Sequence, residues 1–229
     1  MLIYLGMDDT DNYESRGTGH IARQVAANLA ANFTVLGVVR HQLLFDPRVP
    51  YTSHNSSASI LLETVAEPDI HSIFQQVKDM MLADFQPGSD PGLCAAMVVP
   101  QVVMEFGRRA KLELVSQEEA RQLAADHGIL LEGLGGTEGG VIGALAAVGL
   151  AATGSDGRYV LVGKLRELSG LQSVSEILTA GVDRVETLDG QPVMDGMILA
   201  DKLRPARRES LPVAVVQWDE DHWTPLKLD

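Results

Sequence analysis

The sequence predicts an α+β fold of the mixed α/β kind, and three features carry that reading. Some stretches place apolar residues at helical spacing, while others are short runs rich in β-branched residues. The two kinds alternate without a strict strand–helix–strand rhythm. Loops rich in Gly, Pro and Asn are dense enough to suggest two small interleaved subdomains in place of one doubly wound sheet.

Leu2 to Met7 reads as a short buried strand that ends on acids. A polar loop, Asn12 to Gly19, leads into Ile21, Ala22, Val25 and Leu29, whose spacing predicts an amphipathic helix over roughly residues 20 to 32. Thr34 to Phe45 and Ser57 to Val65 are strand-like, with a Pro- and Asn-containing loop between them. Ile73, Val77, Met81 and Phe85 recur at steps of four and predict a helix from Ile70. Gln86 to Gly92 is a run of turn residues before a strand from Leu93 to Val99. Ser116 opens a helix with Glu119 at capping-box spacing, and Gly128 stops it. Gly133 to Gly140 is a glycine-rich loop that opens the helix Val141 to Leu150. Tyr159 to Gly163 is a strand, Val174 to Ala180 a short helix, and Val213 to Trp218 pairs with the terminal segment around a D-E-D-H turn.

Composition narrows the function classes. With 45% hydrophobic and 21% charged residues, the chain is globular and not disordered. Its net charge of −13 opposes strong non-specific binding to a phosphate backbone, which relies on Lys and Arg. Lys202 to Arg208 is the clear basic run, and a solvated hairpin face is its ordinary reading. The one cysteine, Cys94, excludes an intramolecular disulfide and a Cys-pair zinc ribbon, and its apolar neighbours mark it as a buried hydrophobe. No signal peptide opens the chain and no apolar run reaches ~20 residues, so the expectation is a cytoplasmic protein without a membrane partner.

The strongest chemical signal is Met7 to Asp11, M-D-D-T-D, between a strand and a loop-to-helix transition. Carboxylates this close repel one another unless a cation sits among them. Asp8 and Asp9 are expected on opposite faces of the strand end, with a turn returning Asp11 towards one of them. Mg²⁺ takes one or two protein carboxylates and completes its shell with water and phosphate oxygens, so Asp8, Asp9 and Asp11 are candidate metal ligands. An acidic surface turn is the plain alternative. Arg16-Gly17-Thr18-Gly19-His20 then introduces a helix whose backbone N–H groups suit a phosphate. Gly133 to Gly143, G-L-G-G-T-E-G-G-V-I-G, supplies a second such helix start. It lacks the Lys-Ser/Thr ending of a P-loop, and the small residues beyond it equally suit close helix packing. The candidate catalytic residues are Asp8, Asp9, Thr18 and His20; the candidate cofactor-binding residues are Thr10, Arg16, Gly17, Gly19, Glu138, Gly139 and Gly140.

These residues resemble the archaeal tRNA(Ile) agmatidine synthetases. The D-D-T-D motif is matched by Asp8-Asp9-Thr10-Asp11, and the family's Arg…Asn-Pro…Pro-Trp loop is echoed by Arg40, Asp46-Pro47 and Val49-Pro50-Tyr51. Its I-G-A-x-A-A-x-G helix is matched by Val141 to Gly149, and Pro91-Gly92 fits as well. The similarity runs in order from residue 2 to about residue 166. It implies a kinase-like domain with an interleaved ferredoxin-like domain, drawn here as residues 1–60 and 92–165 against 61–91 and 166–229. It further implies binding of ATP with Mg²⁺, the aspartates as metal ligands, and Gly17, Thr18 and Gly139-Gly140 at the phosphates.

The departures fall on the acceptor side. The family's OB-fold and zinc ribbon, which handle tRNA, find no match in these residues. The family's Gly-Cys-Thr-Thr is here Gly17-Thr18-Gly19-His20, and its Thr-Arg-Gly-Asn loop is Ser53-His54-Asn55-Ser56. The expectation is a Mg-dependent, ATP-binding transferase of kinase-like or ligase-like chemistry, acting on a small-molecule or RNA acceptor and not alone on tRNA. A metal-dependent phosphoester hydrolase and a non-catalytic nucleotide-binding regulator are the rival readings. Lys164 and Arg166, alternating on a strand, and Arg204, Arg207 and Arg208 are candidate substrate contacts.

Overall fold

The structure, a computed structural model, describes residues 1–12, 15–49 and 55–228, and only the backbone of Lys202. It is a mixed α/β protein of two compact units, Met1–Thr153 and Gly154–Asp229. Residues 61–91, grouped from the sequence with 166–229, run within the same unit as residues 1–60. Ser53, His54, Pro50 and Tyr51 lie outside the described residues.

In the first unit, β1 (Leu2–Asp8), β2 (Thr34–Gln42), β3 (Ser56–Glu63), β4 (Gly92–Ala96) and β5 (Leu130–Gly133) form an antiparallel sheet in the order β5-β4-β1-β3-β2. With α1 (Thr18–Leu29) and α2 (Ile70–Ala83), strands β1 to β4 make the βαββαβ arrangement of ferredoxin-like folds. α1 buries Ile21, Ala22, Val25 and Leu29 and α2 buries Ile73, Val77 and Met81 as their spacing predicts, but α2 ends at Ala83, and Phe85, the fourth position of that series, is exposed. Asp69 caps α2, accepting from the backbone N–H of His71 at 3.0 Å and of Ser72 at 3.2 Å.

The opposite face carries α3 (Gln101–Arg109), α4 (Gln117–Asp126) and α5 (Val141–Ala152). α5 is apolar all round because it is enclosed on all sides, by β1, β3 and β4 below and by α3 and α4 above. Gly149 is needed there: a Cβ would fall 2.2 Å from the carbonyl oxygen of Val103 on α3. No element is expected from the sequence over residues 101–109, yet α3 buries Val103, Phe106 and Gly107 at i, i+3, i+4 spacing, one turn of an amphipathic helix. Ser116 caps α4 as expected, accepting from Glu119 N at 3.1 Å. The Glu119 carboxylate turns instead to Arg109, at 2.5 Å. The complete capping box of the chain's described residues is at Ser173 and Glu176.

The second unit contains β6 (Arg158–Leu161), β7 (Leu171–Ser173), α6 (Val174–Thr179), β8 (Arg184–Thr187), β9 (Met197–Leu199), β10 (Ala206–Arg208), β11 (Leu211–Asp219) and β12 (His222–Pro225). β11 pairs with β10 and β12 antiparallel and with β8 parallel, and the β11–β12 hairpin turns at the expected D-E-D-H. Lys164 and Arg166 do not alternate on a strand; Arg166 lies in a 3₁₀ turn, Leu165–Glu167. The basic run is largely committed to the fold. Arg207 is buried and donates to the Tyr159 hydroxyl at 2.6 Å, and Arg208 pairs with Glu186. Among the described residues no helix is long and apolar enough to cross a membrane.

Candidate functional site

β1 delivers the acids. It ends at Asp8, and Asp9 takes φ 49°, a left-handed conformation that Asp tolerates better than most residues. Because the strand stops there, its alternation stops too, and Asp8 and Asp9 do not diverge to opposite faces. Both line one cavity of about 230 Å³ with Asp11, Thr18, Gly139 and Gly140. Leu43, Leu114, Val115 and Ile142 give it an aliphatic wall, and Asn55, Glu113 and Gln117 line it as well.

Asp8 is pressed against the first turn of α5. A Cβ on Gly143 would fall 1.8 Å from Asp8 Oδ2, so only glycine lets the carboxylate lie there. Burial and the neighbouring charges of Asp9 and Asp11 push its pKa up to about 8, against the partial relief of a backbone hydrogen bond from Asp9. Asp9 is pushed up to about 6, by burial first and then by Asp90 and Asp11.

Asp90 is a carboxylate that the sequence pattern does not single out. It lines the same cavity and accepts from Thr137 N at 2.8 Å and from the Thr137 hydroxyl. Its carbonyl accepts from Gly140 N at 2.9 Å. Gly136, at φ 60°, makes room for it, since a Cβ there would meet Asp90 Oδ1 at 1.6 Å. Asp90 sits in a run that reads only as turn residues, and the signal available was its place directly before Pro91-Gly92.

Asp11 has a second task. Its Oδ1 accepts from Thr18 N at 3.2 Å and from Thr18 Oγ1 at 3.1 Å, and Thr18 Oγ1 in turn accepts from Thr10 N at 3.4 Å. The carboxylate thus already occupies the N-terminus of α1, where the sequence pattern places a phosphate. Thr10 is buried, and its hydroxyl has no hydrogen-bond partner among the described residues. Arg16, Gly17, Gly19 and His20 line a second cavity, of about 560 Å³, which shares Asp11, Thr18 and Ser56 with the first. Glu138 is not brought to either cavity: it is exposed, at φ 61°, and pairs with Arg121. His41 is buried, with Nε2 2.9 Å from Ser59 Oγ.

Among the described residues no three His, Cys, Asp or Glu side chains come together as a ligand set for a metal. A hard divalent cation such as Mg²⁺ needs fewer. Asp8 and Asp9 supply the oxygen donors it prefers, and burial followed by the neighbouring carboxylates disfavours their charged forms in the absence of a cation. The residues present therefore fit such an ion held by two carboxylates and completed by water or phosphate.

Comparisons with known proteins agree with the motif resemblance. No family model matches the chain. It is 25% identical over 151 residues to TiaS of Cenarchaeum symbiosum, a 2-agmatinylcytidine synthetase for an isoleucine tRNA, covering 64% of this chain and 33% of that protein. Solved structures share its fold. A tRNA fluorescent labeling enzyme has a TM-score of 0.56 at 24% identity, over 65% of this chain and 36% of its own. A complex of TiaS with its isoleucine tRNA and ATP has a TM-score of 0.55 at 23% identity, over 65% and 36%. The chain spans about a third of the length of the curated relative it matches. Over roughly two thirds of its extent, then, this chain resembles the tRNA agmatidine synthetase TiaS in both sequence and fold.

Proposed function

We propose that the chain is a magnesium-dependent, ATP-binding enzyme that transfers a phosphoryl or nucleotidyl group to an acceptor. One observation carries this reading: Asp8, Asp9 and Asp90 meet the glycine-bounded start of α5 around a single cavity that also has an aliphatic wall. The sequence relation to TiaS supports it, and ATP is the nucleotide described in a TiaS complex of the same fold.

Asp8 and Asp9 would hold the metal. When bound, Mg²⁺ neutralises phosphate oxygens and so lowers the charge that opposes attack on phosphorus. Gly139 lines the cavity without a Cβ, which lets a phosphate approach the start of α5, while Gly140 is buried with its N–H given to the Asp90 carbonyl. Asp90 fixes that backbone through Thr137 and Gly140. The aliphatic Leu43, Val115 and Ile142 in the cavity wall suit the face of a base. Thr18 stands at the edge shared by the two cavities, its hydroxyl oriented by Asp11. The kinase-like character, the cytoplasmic setting and an acceptor that is a small molecule or an RNA belong to the same proposal. The acid excess opposes tRNA as an unaided substrate.

Calorimetric titration of ATP with and without Mg²⁺, on the native chain and on Asp8→Asn and Asp9→Asn variants, tests the reading. Magnesium-dependent binding that both folded variants lose is the expected result. Absence of ATP binding under every condition would sink it and favour phosphoester hydrolysis on the same carboxylates.

A further inference from the structure

The cavity beside the acidic one has the opposite character. It is walled by Arg16, Arg23, Arg40 and His20 and measures about 560 Å³. The sheet separates the two. Arg40 on β2 stands opposite Ala58 on β3, which stands opposite Met7 on β1, so Arg40 shares the face of Met7. Asp8, one residue on, lies against α5 on the other face. Asp11, Thr18 and Ser56 belong to both cavities and form the sill between them.

We propose that the arginine-lined cavity is an anion subsite that holds a phosphate-bearing acceptor while the nucleotide occupies the acidic cavity. The division of labour between the cavities rests on the nucleotide reading; the anion subsite does not. In a chain with 31 acids and 18 bases, three guanidinium groups gather in one concavity, against the Asp11 carboxylate at its sill. Arg23 donates to Gly19 O at 2.7 Å and Arg40 to Gln42 Oε1 at 2.9 Å, bonds that hold both side chains at the cavity wall. Arginine holds phosphate through paired N–H donors, which orient the bound group as well as attract it. The start of α1 contributes little to this affinity because Asp11 already accepts its first N–H. A metal-bound nucleotide suits carboxylates, and a second, metal-free anion suits guanidinium groups. The sill at Thr18 then lies between the nucleotide and the bound anion.

The test uses inorganic phosphate as the probe, titrated calorimetrically into the full chain with and without saturating Mg²⁺ and a non-hydrolysable ATP analogue. The expected result is phosphate binding in both states, weakened at least about tenfold by Arg23→Gln and Arg40→Gln. Affinity for the analogue should stay within about twofold in those variants. Arg16→Gln, at an exposed position, repeats the measurement where misfolding cannot explain a loss. Phosphate displaced by the analogue would show that the nucleotide's own phosphates fill the cavity, and would overturn the proposal. So would phosphate binding indifferent to all three variants, or no phosphate binding at all. Arginine-dependent phosphate binding in a protein that does not bind the analogue would instead uphold the anion subsite and reject the nucleotide reading.

Discussion

Gly143 and Asp8 touch across the sheet-to-helix interface: a Cβ at 143 would sit 1.8 Å from Asp8 Oδ2. One missing methyl group therefore decides whether the last residue of β1 can aim its carboxylate into the cavity. Gly143→Ala should cost about 1–3 kcal/mol through overpacking and should weaken magnesium–nucleotide binding as Asp8 is displaced. Urea unfolding beside calorimetric titration checks both. Gly19→Ala is the contrast, since a Cβ there finds nothing nearer than Arg23 Nη1 at 3.8 Å. It should leave stability unchanged or raise it by up to ~1 kcal/mol, as alanine replaces glycine in a helix.

The raised carboxyl groups give stability a definite pH dependence. Asp8 moves from 3.8 to about 8 and Asp9 from 3.8 to about 6 on folding, so between those limits the folded chain binds more protons than the unfolded one. Their contribution is fully present below the unfolded value and is lost as pH rises through the folded ones. In the presence of a chelator, unfolding free energy should fall by a few kcal/mol, in order of magnitude, between about pH 4 and pH 8. Magnesium should restore most of that loss at the upper end. A flat profile in chelator would contradict the burial of Asp8.

Asp90 raises its neighbour. Asp90→Asn removes the charge that ranks second among the causes of the Asp9 shift. The Asp9 titration, followed by carboxyl-carbon NMR, should move to lower pH in that variant. An unmoved Asp9 would mean that the two carboxylates do not sense each other.

Thr18 links the D-D-T-D turn to α1 through its contacts with Asp11 and Thr10. Thr18→Val should cost about 1–2 kcal/mol of stability, because buried partners lose a hydroxyl, whereas Thr18→Ser should retain most of it. Thermal unfolding of the pair separates the hydroxyl from the methyl group.

Much of the first unit is legible from local pattern. The apolar spacing of Ile21 to Leu29 and of Ile73 to Met81 marks α1 and α2, and the glycine-rich entry marks the start of α5 at Val141. α3 is not expected from the sequence although Val103, Phe106 and Gly107 fall at i, i+3 and i+4, because nine residues give that pattern a single repeat before α5 completes its packing. The site divides in the same way. Asp8, Asp9 and Asp11 announce themselves as a cluster, whereas Asp90 looks like a turn former until Thr137 and Gly136 are folded around it. Glu138 looks like a ligand by its place among glycines, yet pairing with Arg121 turns it away.

Local pattern is enough to place most helices and strands of the first unit, to end its first strand on acids, and to open its fifth helix with glycines. These are properties of neighbouring residues, set by side-chain periodicity and backbone freedom. Folding in three dimensions is what joins Asp90 to the acids, makes Asp11 the cap of α1, and gives the acidic and arginine-lined cavities a shared sill at Thr18. Those facts depend on antiparallel pairing that brings residues distant in the chain to one end of the sheet, where the alternation of strand faces sends Asp8 and Arg40 to opposite sides.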